Sequence, residues 1–210
     1  MTLNARRALA GLVTVGALGA FVWAIVDDGP DRGPEPLAAD VDVAPSGSEL
    51  SQAAVPIDDL GPAPDLVDIE GWFNTDATSL ESALGDVTIV QFWTFGCFNC
   101  KNTLPHLQTL YAQHREQGLE IVGVHAPEFG YEADAANVHQ AIGDLGVTWP
   151  VALDTSKVNF HAWQPGTTSY WPRTYVVDQA GHIRFDHIGE GAYDQLADVV
   201  TRLLADGPEA

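Results

Sequence analysis

The feature that most constrains the fold is an apolar run of strand length that leads through a short loop to two cysteines and a helix. Residues 87–94 are rich in β-branched and aromatic side chains, which is typical of a buried strand. Cys97 and Cys100 follow at the start of a helical pattern that ends before Gly118, and residues 119–125 form a second strand pattern. Because a strand–helix–strand unit closes with a right-handed crossover, we expect these two strands to be parallel.

The remaining pattern completes an α/β domain. We expect a helix over 132–145, short strands over 150–153 and 174–177, one arm of a hairpin at 183–185 and a closing amphipathic helix over 192–205. The carboxyl ends of parallel strands meet at one edge of a sheet, where the sites of α/β proteins usually form. At that edge we expect Cys97 to lie beside the segment 125–128.

The spacing of the two cysteines, Cys97-Phe-Asn-Cys100, indicates redox chemistry. A thiol at a helix start faces the positive end of the helix dipole and free backbone N–H groups, which favour its thiolate. A second thiol one turn later can attack a mixed disulfide formed by the first. A purely structural disulfide is the alternative, but closing so short a loop removes little chain entropy. Since the chain has two cysteines in all, a four-Cys zinc site and a disulfide framework are excluded.

The charge of the chain excludes one class of partner. Its 210 residues include 9 Lys and Arg against 29 Asp and Glu, a formal net charge of −20. We therefore expect no nucleic-acid partner, because phosphates need Lys and Arg for their neutralisation. Acids spread along a chain favour solubility, and their repulsion weakens when salt screens it. A salt-rich source and an acidic extracytoplasmic protein are both compatible with this composition.

Residues 1–26 are predicted to be a membrane anchor or signal segment. Arg6 and Arg7 precede nineteen uncharged, mostly apolar residues at 8–26. As a helix this run spans roughly 28 Å, against a hydrocarbon core of about 30 Å. The basic residues before it orient the N-terminus towards the cytoplasm and the rest of the chain outside. We favour an uncleaved single-pass anchor in the cell membrane, while a cleaved signal peptide would leave the domain in the same extracytoplasmic compartment.

Residues 27–64 are predicted to be a disordered linker. They contain seven prolines and nine acids, with one arginine and no aromatic residue. Such a segment cannot bury enough apolar area to offset its ordering entropy. The α/β domain is therefore expected to cover 65–206.

The segment 92–106, Phe-Trp-Thr-Phe-Gly-Cys-Phe-Asn-Cys-Lys-Asn-Thr-Leu-Pro-His, resembles the active-site segment of thioredoxin-fold proteins of the TlpA/ResA type. It is most similar to the thioredoxin-like domain that follows the membrane part of DipZ-type proteins. Further segments resemble that group in the same order, at 124–129, 160–163, 170–172 and 187–191. The resemblance implies a thioredoxin-like fold, in which helices flank a central mixed sheet, with a TlpA-type insert over 132–145.

The same resemblance implies the roles of four residues beside the dithiol. Pro172 matches the cis-proline that faces the dithiol in this fold, and the backbone of Trp171 would pair with an extended substrate chain. Phe98 and Asn99, between the cysteines, would also contact the substrate. Because this pair carries no charge, we expect a mildly lowered pKa for Cys97 and a fairly reducing couple.

One position departs from the thioredoxin pattern. Thioredoxin has a buried Asp six residues before the first cysteine, and here that position is Gln91, which cannot titrate. Deprotonation of Cys100 must then use water or another group. Glu128 is our candidate general base and His125 the second candidate. A solvated loop acid and a hydrogen-bonded core histidine are the respective alternatives.

Together these features predict a membrane-tethered, extracytoplasmic thiol–disulfide oxidoreductase that reduces protein disulfides through a mixed disulfide with Cys97, resolved by Cys100. We expect a monomer that needs no dissociable cofactor and no metal. Its expected partners are a membrane electron donor and extracytoplasmic protein disulfides, and the family likeness suggests cytochrome maturation or general thiol repair.

Two other functions are compatible with parts of the pattern. A copper metallochaperone on the same fold would use both thiolates and a histidine such as His106, although Sco-type proteins use a Cys-x-x-x-Cys spacing. A thiol peroxidase is suggested by Thr94 and Cys97, which match part of a peroxiredoxin motif. The proline expected four residues before that threonine is replaced by Val90.

Overall fold

The computed structural model describes residues 55–207. The predicted anchor and most of the predicted linker lie outside the described residues. Among the helices of residues 55–207, none combines the length and the apolar character needed to cross a membrane.

Within this range, a six-stranded mixed sheet forms the centre of the domain. Its strands are β1 (Gly71–Phe73), β2 (Val87–Trp93), β3 (Leu119–His125), β4 (Val151–Leu153), β5 (Arg173–Val177) and β6 (Ile183–Ile188). They lie in the order β1-β4-β3-β2-β5-β6. β2, β3 and β4 are parallel, while β1 is antiparallel to β4, β5 to β2, and β6 to β5.

Helices cover both faces of this sheet. They are α1 (Leu80–Ala83), α2 (Phe98–His114), α3 (Ala135–Asp144), α4 (Val158–Ala162) and α5 (Tyr193–Asp206). Short 3-10 turns at Arg115–Gln117 and Gly130–Ala133 precede β3 and α3. α2 runs through Pro105 to His114, and after the 3-10 turn Gly118 takes the left-handed conformation expected of a stop.

The middle strand β2 serves two hydrophobic cores, because successive side chains of a strand point to opposite faces. Ile89 and Trp93 belong to the core that contains residues of α2, α3 and α5. Val90 and Phe92 belong to the core that contains residues of α1 and α4. Since β2 is buried along its whole length, the loop that follows it starts from a rigid point.

The end of the segment that we predicted to be linker belongs to the folded domain. The backbone N–H groups of Leu60 and Ala63 donate to the carbonyls of Ile183 and Gly181 at 2.9 and 2.8 Å. These bonds cover the outer edge of β6, which would otherwise expose unpaired backbone groups. The composition of residues 55–64 could not indicate this, because the partner strand is distant in sequence.

The helix predicted over 132–145 starts later than expected. The side chain of Asp134 accepts the N–H groups of Ala136 and Asn137, and this cap sets the start of α3 at Ala135. Glu132 therefore lies in the 3-10 turn before the helix. β1, α1 and α4 were not predicted, since segments of three to five residues carry too little periodicity.

Candidate active site

The reactive edge of the sheet is formed where β2 and β3 end side by side. Trp93 is paired with His125, and the N–H of Ala126 donates to the carbonyl of Trp93 at 3.0 Å. The antiparallel register of β5 sets Arg173 opposite Phe92, so residue 172 lies at the same edge. The loop with the cysteines, the segment after β3 and the residues before β5 therefore converge, as the sequence predicted for the first two.

Cys97 caps the N-terminus of α2. Its backbone is extended, and its Sγ accepts the N–H of Cys100 at 3.3 Å. The N–H of Cys97 itself donates to the carbonyl of Thr94 at 3.3 Å, which tightens the loop before the helix. Both cysteines are free thiols; Cys97 is half-buried and Cys100 is fully buried.

The two thiols differ sharply in acidity. A hydrogen bond from the Cys100 thiol, joined by the N–H groups of Cys100 and Asn99, lowers the pKa of Cys97 to about 7. Burial, followed by the hydrogen bond to Cys97, raises the pKa of Cys100 far above that of an ordinary thiol. At neutral pH about half of the Cys97 thiol is therefore ionised, while the buried Cys100 keeps its proton.

Glu128 is an exposed residue that acts on both thiols. Its negative charge raises the pKa of Cys97 and of Cys100, although in each case more weakly than burial does. The charge of Glu128 therefore acts on the dithiol, and its role as the candidate general base stays a prediction.

His125 is a buried, hydrogen-bonded residue. Burial lowers its pKa to about 4, so the ring is neutral at pH 7. Its Nε2 lies 3.2 Å from the hydroxyl of Thr94, and its ring stacks on Phe95 with a centroid distance of 5.5 Å. With so low a proton affinity His125 is a weak base, and its contacts indicate a role in holding the loop after β2.

Glu132 is fully buried and joins two loops of the site. Its Oε1 accepts the backbone N–H of Gly96 at 2.9 Å, and its Oε2 accepts those of Glu128 and Phe129 at 2.6 and 2.9 Å. A Cβ atom at residue 96 would overlap Oε1, so a larger residue there would displace the Glu132 carboxylate. The carboxylate thus ties the loop before Cys97 to the segment that carries Glu128.

Trp171 and Pro172 lie at the reactive edge. The peptide bond between them is cis, which confirms the expectation from the resemblance. The indole of Trp171 donates to the carbonyl of Ala126 at 2.9 Å and stacks on Phe160 with a centroid distance of 4.2 Å. This anchoring holds the segment before β5 against the segment after β3.

Gln91 replaces the expected acid and is fully buried. It lies between Gly123 of β3 and Thr174 of β5. Within residues 55–207 its amide nitrogen and oxygen find no hydrogen-bond partner. A neutral amide therefore occupies the interior beside β3, and the nearby acids of the site come from the segment after β3.

The side chains that the two other functions would add to the dithiol, His106 and Thr94, have other partners in this structure. The ring of His106 stacks on Tyr193 at a centroid distance of 3.6 Å, on the side of α5. In the part of the chain that the structure describes, no three His, Cys, Asp or Glu side chains are grouped so as to hold a metal ion. The backbone carbonyl of Thr94 accepts the N–H of Cys97, whereas the hydroxyl of Thr94 is hydrogen-bonded to the ring of His125.

Comparison with protein families gives a match over residues 62–186 to the model described as the AhpC/TSA family. The chain belongs to the AhpC/TSA family. The matched range contains both cysteines, the segment 125–132 and the cis-proline, and it therefore covers the whole candidate site.

This AhpC/TSA chain is also similar to individual proteins. DipZ of Mycobacterium tuberculosis is 36% identical over 162 residues, which cover 76% of this chain but only 23% of DipZ. The chain thus spans about a quarter of that relative's length. The thiol-disulfide oxidoreductase YkuV of Bacillus subtilis is 27% identical, over 69% of this chain and 95% of YkuV.

A solved structure, a thioredoxin-like protein in the oxidised form, matches this chain with a TM-score of 0.61 and 26% identity. The match covers 70% of this chain and 97% of the other. The fold is therefore thioredoxin-like, with a mixed sheet flanked by helices, as the sequence resemblance implied.

The sequence analysis missed Gly96 and Glu132. Glu132 follows Glu128 by four residues in an ordinary acidic segment, and nothing local marks it as buried. Its burial depends on a contact with Gly96, 36 residues away. A glycine directly before the first cysteine was the one available signal of a close approach.

Proposed function

We propose that the domain is a thiol–disulfide oxidoreductase that reduces disulfides of proteins. The observation that carries this proposal is the asymmetry of the dithiol. Cys97 is half-buried with a pKa near 7, and Cys100 is buried one turn behind it with its proton retained. An accessible thiolate backed by a protonated thiol is what a two-step exchange requires.

In the first step the Cys97 thiolate attacks one sulfur of the substrate disulfide. A mixed disulfide forms, and the other substrate sulfur leaves as a thiolate. In the second step Cys100 loses its proton and attacks the sulfur of Cys97. The Cys97–Cys100 disulfide forms, the second substrate sulfur leaves, and the substrate has gained two electrons.

The acidic segment after β3 supplies the base in this proposal. Glu128 is exposed, and its charge is felt by Cys100. Once Cys97 is in the mixed disulfide it no longer carries a negative charge, so the proton of Cys100 is released more easily. Glu128 then accepts that proton directly or through water. Trp171 and Pro172 would hold the substrate backbone, with Phe98 and Asn99 beside the attacked sulfur.

The test is the reaction of the reduced domain with a disulfide-bonded protein. The wild type should reduce it, C97S should lose at least about 1,000-fold in rate, and C100S should accumulate a mixed disulfide that mass spectrometry detects. The Cys97–Cys100 couple should have a potential near or below about −250 mV. A fast reduction by C97S would contradict the proposal, and a potential above about −180 mV would make the domain an oxidant or isomerase.

We further propose that the full chain is tethered to the cell membrane with the domain outside the cytoplasm. The nineteen uncharged residues at 8–26 after Arg6 and Arg7 support this. A membrane electron donor would then restore the dithiol, and extracytoplasmic proteins, including those of cytochrome maturation, would be its substrates. In intact cells a thiol reagent that cannot cross membranes should label Cys97 of the membrane-bound chain. Labelling only after lysis would contradict this location.

A further inference from the structure

We propose that Phe129 and Tyr131 form a recognition platform for a polypeptide that carries a large apolar side chain next to its disulfide-bonded cysteine. The inference rests on the proposed reduction of protein disulfides and specifies which disulfides react fastest.

The platform consists of two aromatic rings that the fold leaves uncovered. The side chains of Phe129 and Tyr131 are 52% and 55% exposed. Their rings are parallel within 4°, with centroids 6.0 Å apart. A partner that covers two adjacent exposed rings gains binding free energy, because burying apolar surface is favourable by about 25 cal/mol for each Å².

The platform is continuous with the loop that carries the reactive thiol. Tyr131 packs on Phe95 with a centroid distance of 5.7 Å. A Cβ atom at Gly96 would lie 2.7 Å from the Tyr131 hydroxyl, so this side chain lies against the residue that precedes Cys97. A substrate sulfur that reaches Cys97 therefore brings its neighbouring residues towards these rings.

The buried carboxylate of Glu132 fixes the position of the two rings relative to the loop of Cys97. Glu132 accepts the N–H groups of Gly96, Glu128 and Phe129. Because the same carboxylate binds the loop of the thiol and the base of the platform, the two surfaces keep a constant spacing. Less ordering entropy is lost when a partner binds a surface held in this way.

The chemistry of the partner follows from the groups around the thiol. Phe98, directly after Cys97, is 71% exposed and offers a further apolar contact beside the same sulfur. Glu128 precedes the platform and is exposed, and the whole chain has a net charge of −20. A neutral or basic extended segment with Phe, Leu or a similar side chain beside its cysteine fits this surface, whereas an acidic segment is repelled.

The test uses symmetric peptide disulfides of the form acetyl-X-Cys-X-amide, with Phe, Leu, Gly or Glu at X. The reduced wild-type domain is mixed with each peptide, and the second-order rate is divided by the rate with free glutathione, which removes differences in intrinsic reactivity. The Phe peptide should react about tenfold faster than the Gly peptide, and the Glu peptide should be the slowest. Equal normalised rates for Phe and Gly in the wild type would overturn the proposal without any mutation.

Two variants locate the effect. In F129A/Y131A the ratio between the Phe and Gly peptides should fall to near one. Each rate is divided by the rate of the same variant with hydroxyethyl disulfide, which is too small to reach the platform, so that a change in the reactivity of Cys97 itself cancels. L60A removes a comparably exposed apolar side chain at the other end of the sheet and should keep the full ratio. A retained ratio in F129A/Y131A would overturn the proposal. If the wild type reacted with no disulfide, hydroxyethyl disulfide included, the proposed function would itself be wrong.

Discussion

The two ends of the central sheet use their polar side chains differently. At the end where β2 begins, a cavity of about 650 Å³ is lined by charged residues of both signs, among them Asp178, Arg184 and Arg202. At the end where β2 stops, Glu128 and Glu132 lie near the loop of the two thiols, and the buried Glu132 accepts three backbone N–H groups.

The charges at the cavity end stabilise the fold. Arg184 donates to Asp178 at 2.8 Å and to the carbonyls of Ile57 and Asp58 at 3.1 and 2.9 Å. Arg202 donates to the carbonyl of Val55 at 2.6 Å. These bonds attach the segment before β1 to the sheet and to α5, so both guanidinium groups have partners.

At the thiol end one group is held ready to react. Backbone N–H groups and the Cys100 thiol stabilise the charged form of Cys97 and bring its pKa to about 7. The comparison shows that the volume of a cavity does not by itself identify the reactive site. A nucleophile whose charged form is stabilised at neutral pH is the better indicator of such a site. Four predictions test this contrast, from the largest expected effect to the smallest.

The first prediction concerns pH. Below about pH 7 the rate of alkylation of Cys97 by iodoacetamide should fall tenfold for each pH unit, because the thiolate fraction falls by that factor, and above about pH 8 it should level off. Cys100 should stay unmodified over this range, since burial raises its pKa. Mass spectrometry of the alkylated peptides measures both rates. A midpoint at the ordinary thiol value near 9 would show that the cap does not stabilise the thiolate.

The second prediction concerns Glu132. In E132Q the amide oxygen can keep the N–H groups of Glu128 and Phe129, but the amide NH₂ then faces the N–H of Gly96. The loop that carries Cys97 should loosen, and the pKa of the Cys97 thiol should rise by roughly half a unit to one unit. The free energy of unfolding should fall by about 1–3 kcal/mol.

The pH profile of alkylation and urea unfolding measure these two effects. E116Q, an exposed Glu→Gln change on the turn after α2, is the matched control and should change neither. If E132Q instead lowered the pKa of Cys97, Glu132 would act through its charge alone and not by holding the loop.

The third prediction concerns the cavity end. R184A removes the bonds to Asp178, Ile57 and Asp58 and should lower the free energy of unfolding by about 1–2 kcal/mol. R184K keeps the positive charge but loses the planar guanidinium group that makes all three bonds. Its free energy of unfolding should lie between those of R184A and the wild type. The midpoint pH for alkylation of Cys97 should not move in either variant. A shift of that midpoint would mean that the two ends are coupled.

The fourth prediction concerns Glu128. Since its charge raises the pKa of Cys97, E128Q should lower that pKa by about 0.3 of a unit, an effect that shrinks as salt screens the exposed charge. The sign is opposite to that expected for E132Q, four residues later. The same variant should slow the resolution of the mixed disulfide, measured by quenching with acid, if Glu128 takes the proton of Cys100. An unchanged resolution rate would leave water as the base.

The sequence predicted the main elements because their signals are local. β2 and β3 follow from apolar composition, and the start of α2 follows from the chemistry of a thiol at a helix N-terminus. The boundary at residue 65 placed residues 60–63 in the linker, since no local pattern reveals that they bind the edge of β6. The start of α3 was placed at Glu132, whereas the cap by Asp134 sets it at Ala135.

The sequence by itself determined that two thiols lie one helical turn apart at the carboxyl end of a buried strand, and it predicted exchange of disulfides as their chemistry. These properties depend on residues within about twenty positions of each other. Tertiary structure alone decided which of two nearby acids is buried and which is exposed, because the N–H that Glu132 accepts from Gly96 belongs to a loop 36 residues away. It also decided that Phe129 and Tyr131 remain uncovered beside Cys97. Such contacts arise only when the parallel strands bring their ends together at one edge of the sheet.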